Sequence, residues 1–580
     1  MTAAARLKKL AMGVLPTPVS DRVRAARRVG RDRAAAARRE VRKAQRRQAL
    51  LDADPEVRLV STGVLNGPGR VVTDFTVEQA ARHNLELVTT VLERAGVDYF
   101  MVRGRSAQRY VLGVHRRHRS TVFREMREAY RSSALHAVKP GAGGSVALIS
   151  AYVDGALAKA IKTGWTVRFA EPLLSPAGKV VAGVEFGCDI EFWRDGVDLL
   201  PGGAAEGAST KLRCKTPPAG LEGALVAPRP NRVADVLPLS AQVPATRAVG
   251  GRSYPTFEPF TWTLMDDVTF PVDVVYTWVD GEDPRHAAKR AEHRGDVALG
   301  LAANASRYAS HDELLYSLRS VHMYAPFVRD IYIVTDDQVP AWLDQGAPGI
   351  TVVDHREIFP DDALPTFNSH AIGTRLHHIP GLADHYLYFN DDVFLARLRR
   401  AEDYFYANGI AKVPFSPAQF GVGDIVRGEV APNSAGKNVR SLLAADFDRG
   451  ITNKFKHAPH PQLREVMSEI EERYSEVVGR TTRSRFRSVE DVGFAATLHH
   501  HYSLLTGRAV PGEARMSYVD IGSVDAAERL ARLQVHRRVD SFCLNDVDTP
   551  EHTREAVHEM VGAFLEERFP FPSPWERSGA

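Results

Sequence analysis

Hydrophobic positions change period repeatedly along this chain. Thr76 and Gln79 have capping-box spacing, Leu85, Val88, Val91 and Leu92 follow at helical intervals, and Gly96 stops the run, so a helix is expected there. Residues 98–102 (DYFMV) read as a strand. A helix around 118–130, a segment around 146–161 and strand-like runs at 165–169 and 180–192 continue an α/β alternation. An N-terminal α/β domain is therefore expected at 55–235. Asp189 and Glu191, in the run GCDIEFW, fall on one strand face, and alternate polar residues on a half-exposed strand explain them without a function. Residues 201–260 are rich in Gly, Pro, Ala and Ser, which marks an irregular connection, with a linker placed at 236–271.

The second half repeats a simpler unit. VDVVYTW (272–278) is an apolar strand followed by Asp280, and Ser310 and Glu313 have capping-box spacing ahead of a helix whose buried stripe is Leu314, Leu318 and Val321. DIYIVT closes on Asp336 and Asp337, a short helix is expected near Trp342, and ITVVD closes on Asp354 and His355. A helix from about 369 to 379 precedes HYLYFN, which ends on Asn390, Asp391 and Asp392. Four short apolar strands with helical patterns between most of them predict a mostly parallel sheet with crossover helices. Ligands of open α/β sheets lie at the C-terminal strand edge, where these acids recur. For any one acid alone, a turn or helix N-cap is the simpler role.

Length and composition bound the picture. With 580 residues, 44% hydrophobic and 25% charged, the chain is too long for one core and too ordinary for a disordered or fibrous protein. Its net charge of +4 hides an asymmetry: residues 1–50 hold 15 Lys or Arg and 3 Asp or Glu, a local charge of +12 on an otherwise acidic body. This basic leader, helical or disordered, suits an anionic membrane surface or a solvated tail. Cys188, Cys214 and Cys543 have no metal-type spacing and suggest no disulfide framework, and no apolar run spans a membrane, so a cytoplasmic location is expected.

Clustered carboxylates bind hard cations such as Mg²⁺ or Mn²⁺, which are most useful bridging substrate phosphates. Asp391 and Asp392, at the tip of an aromatic strand, are the leading pair. His457 and His460, in KHAPHPQ, could take a proton from a sugar hydroxyl or simply bond loop backbone. Arg483, Arg485 and Arg487, in TTRSRFRSVED, have forked donors suited to phosphate, or to surface ion pairs. The triple His at 499–501 sits in a helical pattern and must turn one or two rings inward.

The strings DVVYTWVDGEDP (273–284), DELLYSLRSVHMYAPFVRDIYIVTDDQVPAWL (312–343), LPTFNSHAI with HYLYFNDDVFL (364–395), KHAPHPQL with the Arg-rich run at 483–491, and FCLND (542–546) resemble, in order, the four conserved blocks of the Stealth family. These are bacterial capsule and exopolysaccharide sugar-1-phosphate transferases, similar to the catalytic part of the lysosomal-enzyme GlcNAc-1-phosphotransferase. The resemblance covers about 272–575 and includes the tail FPFPSPWE. It implies a nucleotide-sugar-transferase sheet of Rossmann-like, GT-A-like type, and transfer of a hexose-1-phosphate from a nucleotide sugar to a glycan hydroxyl with a divalent cation.

Carried over by position, the resemblance implies Asp392, His460 and Arg487 as catalytic, with His460 as base. Asp280, Asn368, Ser369 and Arg319 would bind the donor, Asp391, Asp392 and Asp546 the metal, and Asn545, His457 and Asp337 would support them. Where many relatives read NSxAIE this chain has Gly373, so another acid such as Asp354 or Asp337 replaces that glutamate, or the glutamate is dispensable. Two alternatives stay open: a glycosyltransferase that moves the sugar alone, and a non-catalytic glycan-assembly protein. The expected partners are a nucleotide sugar, a glycan acceptor and, through the leader, the inner face of the cell membrane, with no nucleic acid.

Overall fold

The computed structural model describes residues 17–63, 65–200, 212–213, 215–294, 311–426, 428–535, 538–547 and 549–577. The chain is mixed α/β and divides into two compact units, residues 1–73 with 78–262, and 74–77 with 263–580.

In the first unit the basic leader enters as a long helix, Thr17–Ala53. Its exposed middle carries Arg31, Arg33, Arg38 and Arg39, whereas its end is anchored. Arg47 Nε lies 2.7 Å from Asp154 Oδ1, and Leu50 packs with Val57, Ala134, Ala151 and Val153. Within the described helix, residues 31–42 are exposed, and Lys43 is the first to pair with Asp154 (3.5 Å). A ten-stranded mixed sheet forms the body, and helix Val77–Arg94 buries Leu85, Val88, Val91 and Leu92 in the main core. Burying each such side chain stabilises the unit by roughly 1.5–3 kcal/mol.

Two expectations for this unit are corrected. Residues 236–271 are not a linker throughout, because strands Val236–Leu237, Pro244–Val249 and Arg252–Phe257 belong to the sheet. Their prolines sit near an edge, where a missing N–H is tolerated: Arg252–Phe257 pairs with the next strand only at Thr256 and Met101. Asp189 and Glu191 do not face solvent either. Strand Cys188–Asp195 is buried, and the two acids are neutralised by Arg168 (Nε to Asp189 Oδ1, 2.7 Å) and Arg229 (Nε to Glu191 Oε1, 2.6 Å).

In the second unit, elements are numbered β1 Val272–Thr277, α1 Pro284–Arg294, α2 Glu313–Tyr324, β2 Val328–Thr335, β3 Ile350–Asp354, β4 His385–Asn390, β5 Val393–Leu395, β6 His460–Leu463, α3 His499–Leu505, β7 Met516–Asp520 and β8 Ser541–Asn545. The main sheet has the order β3-β2-β1-β4-β6. Its first four strands are parallel, as the repeated strand–helix pattern predicts, and β6 is antiparallel. Val274, Val275 and Tyr276 are 0% exposed, which is why β1 reads as a continuous apolar run. Leu314, Leu318 and Val321 are buried on α2 as expected.

Ser310 lies outside the described residues, and α2 starts at Glu313 after Asp312, which has a left-handed φ of 58°. No helix forms near Trp342. The helix expected over 369–379 breaks into Ser369–Gly373 and a tight turn Leu376–His378. A second small sheet, β5-β8-β7, joins the chain's last conserved string to the tip of β4.

Candidate active site

The residues collected at the end of β4 come from five stretches of chain. Antiparallel pairing of Val393 with Cys543, and a hydrogen bond from the Leu544 N–H to the Asp392 carbonyl (3.0 Å), bring β8 beside Asp391 and Asp392. Helix α2 is pinned over them: Ser317 Oγ donates to the Val393 carbonyl (2.6 Å), and the Leu395 N–H donates to Ser320 Oγ (2.9 Å). Glu313, at the first turn of α2, lies in the field of both aspartates.

Three carboxyl groups thus share a half-buried space, and the electrostatics record it. Loss of hydration, then the Asp392 charge, pushes Asp391 up to about 7. Loss of hydration, then the Asp391 charge, pushes Glu313 up to about 8. Asp391 and Asp392 have no ion pair with Lys or Arg among the described residues, and Asp392 Oδ1 is buried with no hydrogen-bond partner. The other Asp392 oxygen ends a chain of donors. Asn390 Nδ2 donates to His457 Nε2, His457 Nδ1 donates to Cys543 Sγ (3.2 Å), and the thiol donates to Asp392 Oδ2 (3.1 Å). Cys543 stays a thiol because burial, and then Asp392, raise its pKa well above the usual range. The ligand atoms that come within 4.8 Å of one another here are those of Asp392, His457 and Cys543, with the carboxyl groups of Asp391 and Glu313 in the surrounding field. The carboxylates are the ligands of this neighbourhood suited to a hard divalent cation.

Arg487 completes the pocket's charge pattern. Its Nη2 donates to Ser369 Oγ (2.7 Å), and the Tyr388 hydroxyl lies in the combined field of Asp391, Arg487 and Asp392. The loop that presents Arg487 is held from below by Asn368. Its Nδ2 donates to the Ser484 carbonyl (3.0 Å) and to Asp491 Oδ2 (2.9 Å), while its Oδ1 accepts from the His370 N–H (3.0 Å). Asn368 is 0% exposed, and its side chain clamps this loop. Tyr388 pairs with His460 across β4 and β6, with the ring centroids 6.2 Å apart.

Other expected site residues have protein partners of their own. Arg319, on α2, grips Glu576 of the C-terminal tail through Nε and Nη2 (2.9 and 2.6 Å). Asp354 caps the turn His355–Ile358 and, with Asp337, holds Arg356. Asp336 pairs with Lys289 (2.7 Å). Asp280 accepts from the Glu282 N–H (2.9 Å) in the turn after β1. Asp546 accepts from the Thr549 N–H (2.9 Å) in a turn. Asn545 ends β8, following the pairing that reaches Asp392. At Gly373 an added Cβ would meet Ala495 Cβ at an ordinary 3.5 Å, so the backbone does not require glycine there.

Sequence reasoning missed Glu313, which looked like a capping residue, and Cys543, whose partners lie 86 and 151 residues away. The run Glu313–Leu314 opening a conserved-looking string next to a predicted strand was the only available signal.

Comparison with known proteins shows the family. Family models of the Stealth proteins match all four conserved regions: region 1 at 270–297, region 2 at 307–413, region 3 at 456–504 and region 4 at 531–580. Exopolysaccharide phosphotransferase SCO6023 of Streptomyces coelicolor is 41% identical over 85% of this chain and 82% of its own length. SCO2594 of the same organism is 38% identical, covering 94% and 92%, and CpsY of Mycobacterium tuberculosis is 33% identical, covering 91% and 94%. These matches extend into the first unit, beyond the four regions. Among solved structures, the glycosyltransferase GlyE of Streptococcus pneumoniae covers 53% of this chain and 66% of its own at 13% identity, with a TM-score of 0.22 that carries no argument. With the four regions in order and relatives matched over most of their length, the chain belongs to the Stealth protein family of exopolysaccharide phosphotransferases.

Proposed function

We propose that this enzyme transfers a hexose-1-phosphate from a nucleotide sugar to a hydroxyl of an exopolysaccharide, leaving a phosphodiester. The observation that carries the reading is the pair Asp391 and Asp392, with the buried, unpartnered Asp392 Oδ1, at the C-terminal edge of a parallel sheet and in one electrostatic neighbourhood with Glu313 and Arg487. The sheet is read as the nucleotide-sugar-transferase type, Rossmann-like and GT-A-like. Glu313, Asp391 and Asp392 would hold a divalent cation, Mg²⁺ or Mn²⁺, which offsets the negative charge of the donor phosphates. Arg487, oriented by Ser369, binds phosphate oxygens through its fork.

In the transfer, the acceptor oxygen bonds to the phosphorus that carries the hexose, and the bond from that phosphorus to the bridging oxygen breaks. Nucleoside monophosphate departs, and the hydroxyl proton passes to a carboxylate of the cluster. No described helix is long and apolar enough to cross a membrane. The exposed arginines of helix Thr17–Ala53 support peripheral association with an anionic, inner membrane face. The reading is tested with a donor carrying ³²P in its sugar-proximal phosphate: label entering the polymer as a phosphodiester supports it, and sugar entering without that label refutes it.

A further inference from the structure

Behind His460 runs a chain of imidazoles that no step of the transfer has used. The backbone N–H of Leu463 donates to His499 Nε2 (3.0 Å). His499 Nδ1 lies 3.1 Å from His500 Nδ1, and His500 Nε2 lies 3.0 Å from His460 Nδ1. His499 and His500 are 0% exposed and His460 is 5% exposed. Burial holds His460 and His499 down at about 3 and His500 well below the ordinary value, so all three rings are neutral at pH 7.

A neutral imidazole has one N–H and one lone pair, which makes the chain directional. Because a backbone N–H can only donate, His499 Nε2 must offer its lone pair, and the hydrogen of His499 sits on Nδ1. That hydrogen points at His500 Nδ1, which must accept it, so His500 carries its own hydrogen on Nε2. His500 Nε2–H in turn occupies the lone pair of His460 Nδ1. His460 is left with its hydrogen on Nε2, an atom that no protein group engages among the described residues. The ring stacks beside Tyr388, whose hydroxyl lies in the field of Asp391, Arg487 and Asp392.

We infer that His499 and His500 are positioning residues that lock His460 as an Nε2–H donor, so that His460 stabilises the transferring phosphate by hydrogen bonding and does not take the acceptor's proton. The role rests on the proposed sugar-phosphate transfer; the tautomer itself does not. In this role His460 keeps its hydrogen while the oxygen–phosphorus bond forms, the phosphorus–bridging-oxygen bond breaks and the hydroxyl proton goes to the carboxylate cluster. A preorganised donor aimed at developing phosphate charge is worth about 10²–10³-fold in rate. The sequence-based assignment of His460 as base is thereby reversed.

Two measurements on the full chain test this. In protein labelled with ¹⁵N-histidine, the His460 signals, assigned by their loss in His460→Gln, should show a protonated Nε2 and an unprotonated Nδ1. In His500→Phe the Nδ1 acceptor role disappears and the two tautomers should mix. An unprotonated Nε2 in the wild-type protein would overturn the inference whether or not the enzyme transfers sugar phosphate. Kinetically, glutamine supplies an N–H near the Nε2 position but cannot act as a base. His460→Gln should therefore keep kcat within about 10-fold of wild type, while His460→Ala loses about 10²–10³-fold with little change in acceptor KM. Equal losses in the two variants would make His460 a base and sink the proposal. If the wild-type protein transfers no labelled phosphate, the function reading fails and the tautomer measurement alone decides.

Discussion

Glutamine at position 313 should make the cation-free protein more stable at alkaline pH while removing activity. Glu313 ionises near 4.5 when unfolded and is pushed up to about 8 in the fold. Between those values the unfolded chain gives up a proton that the folded chain keeps, so stability falls as pH rises through the window and levels off above it. At about 1.36 kcal/mol per pH unit the full cost approaches roughly 4–5 kcal/mol. The residue is only half-buried by its side-chain exposure, and screening lowers a realistic figure to roughly 2 kcal/mol. At roughly 2 °C per kcal/mol for a unit of this size, that is about 4 °C in the melting temperature of the second unit.

Calorimetry in chelator at pH 5 and pH 8 reads the effect directly. Wild type should lose about 4 °C relative to Glu313→Gln between the two pH values, and millimolar Mg²⁺ should restore wild type but not the variant. Parallel pH profiles for the two proteins, with or without Mg²⁺, would refute the claim that Glu313 shares a cation site with Asp391 and Asp392.

Asn368→Ala leaves the Ser484 carbonyl without its donor and removes one of two donors from Asp491 and from the Phe486 carbonyl, so it should cost about 1–3 kcal/mol by chemical denaturation and lower activity with Arg487 still present. Arg319→Met, which removes the clasp on Glu576, the bond to the Phe569 carbonyl and the guanidinium over Tyr316, should lower the melting temperature by a few degrees while leaving donor KM unchanged; a raised donor KM would place Arg319 in the site. Replacing Arg31, Arg33, Arg38 and Arg39 with Gln should abolish sedimentation with anionic vesicles at low salt, about 1 kcal/mol of binding per residue, without unfolding the first unit. Undiminished binding would remove the leader from the membrane account.

What was legible in the sequence was local. Strands β1 to β4 announced themselves as apolar runs, and the acids after them as strand-edge residues, because a parallel sheet buries both faces and leaves polarity to its ends. That same logic could not tell a capping acid from a ligand. Asp354 and Asp337 are spent on Arg356, whereas Asp391 and Asp392 are not, and the difference depends on where Arg356 folds back. Glu313 and Cys543 reach the site only through the packing of α2 and the pairing of β8, contacts set by tertiary structure at long sequence separation. The strands within 236–257 were read as linker because proline and glycine mark sheet edges as readily as connections. His499 and His500 looked like core histidines, which they are; their direction of hydrogen bonding appears only once Leu463 is placed beside them.

The central claim is that the bond broken in the donor is the one between its two phosphates. Incubating the full chain with UDP-sugars, Mg²⁺ and acceptor glycan and identifying the released nucleotide tests it most directly. The account predicts UMP, in amounts matching the phosphodiester formed. Release of UDP would mean that the sugar moves without its phosphate, and would contradict it.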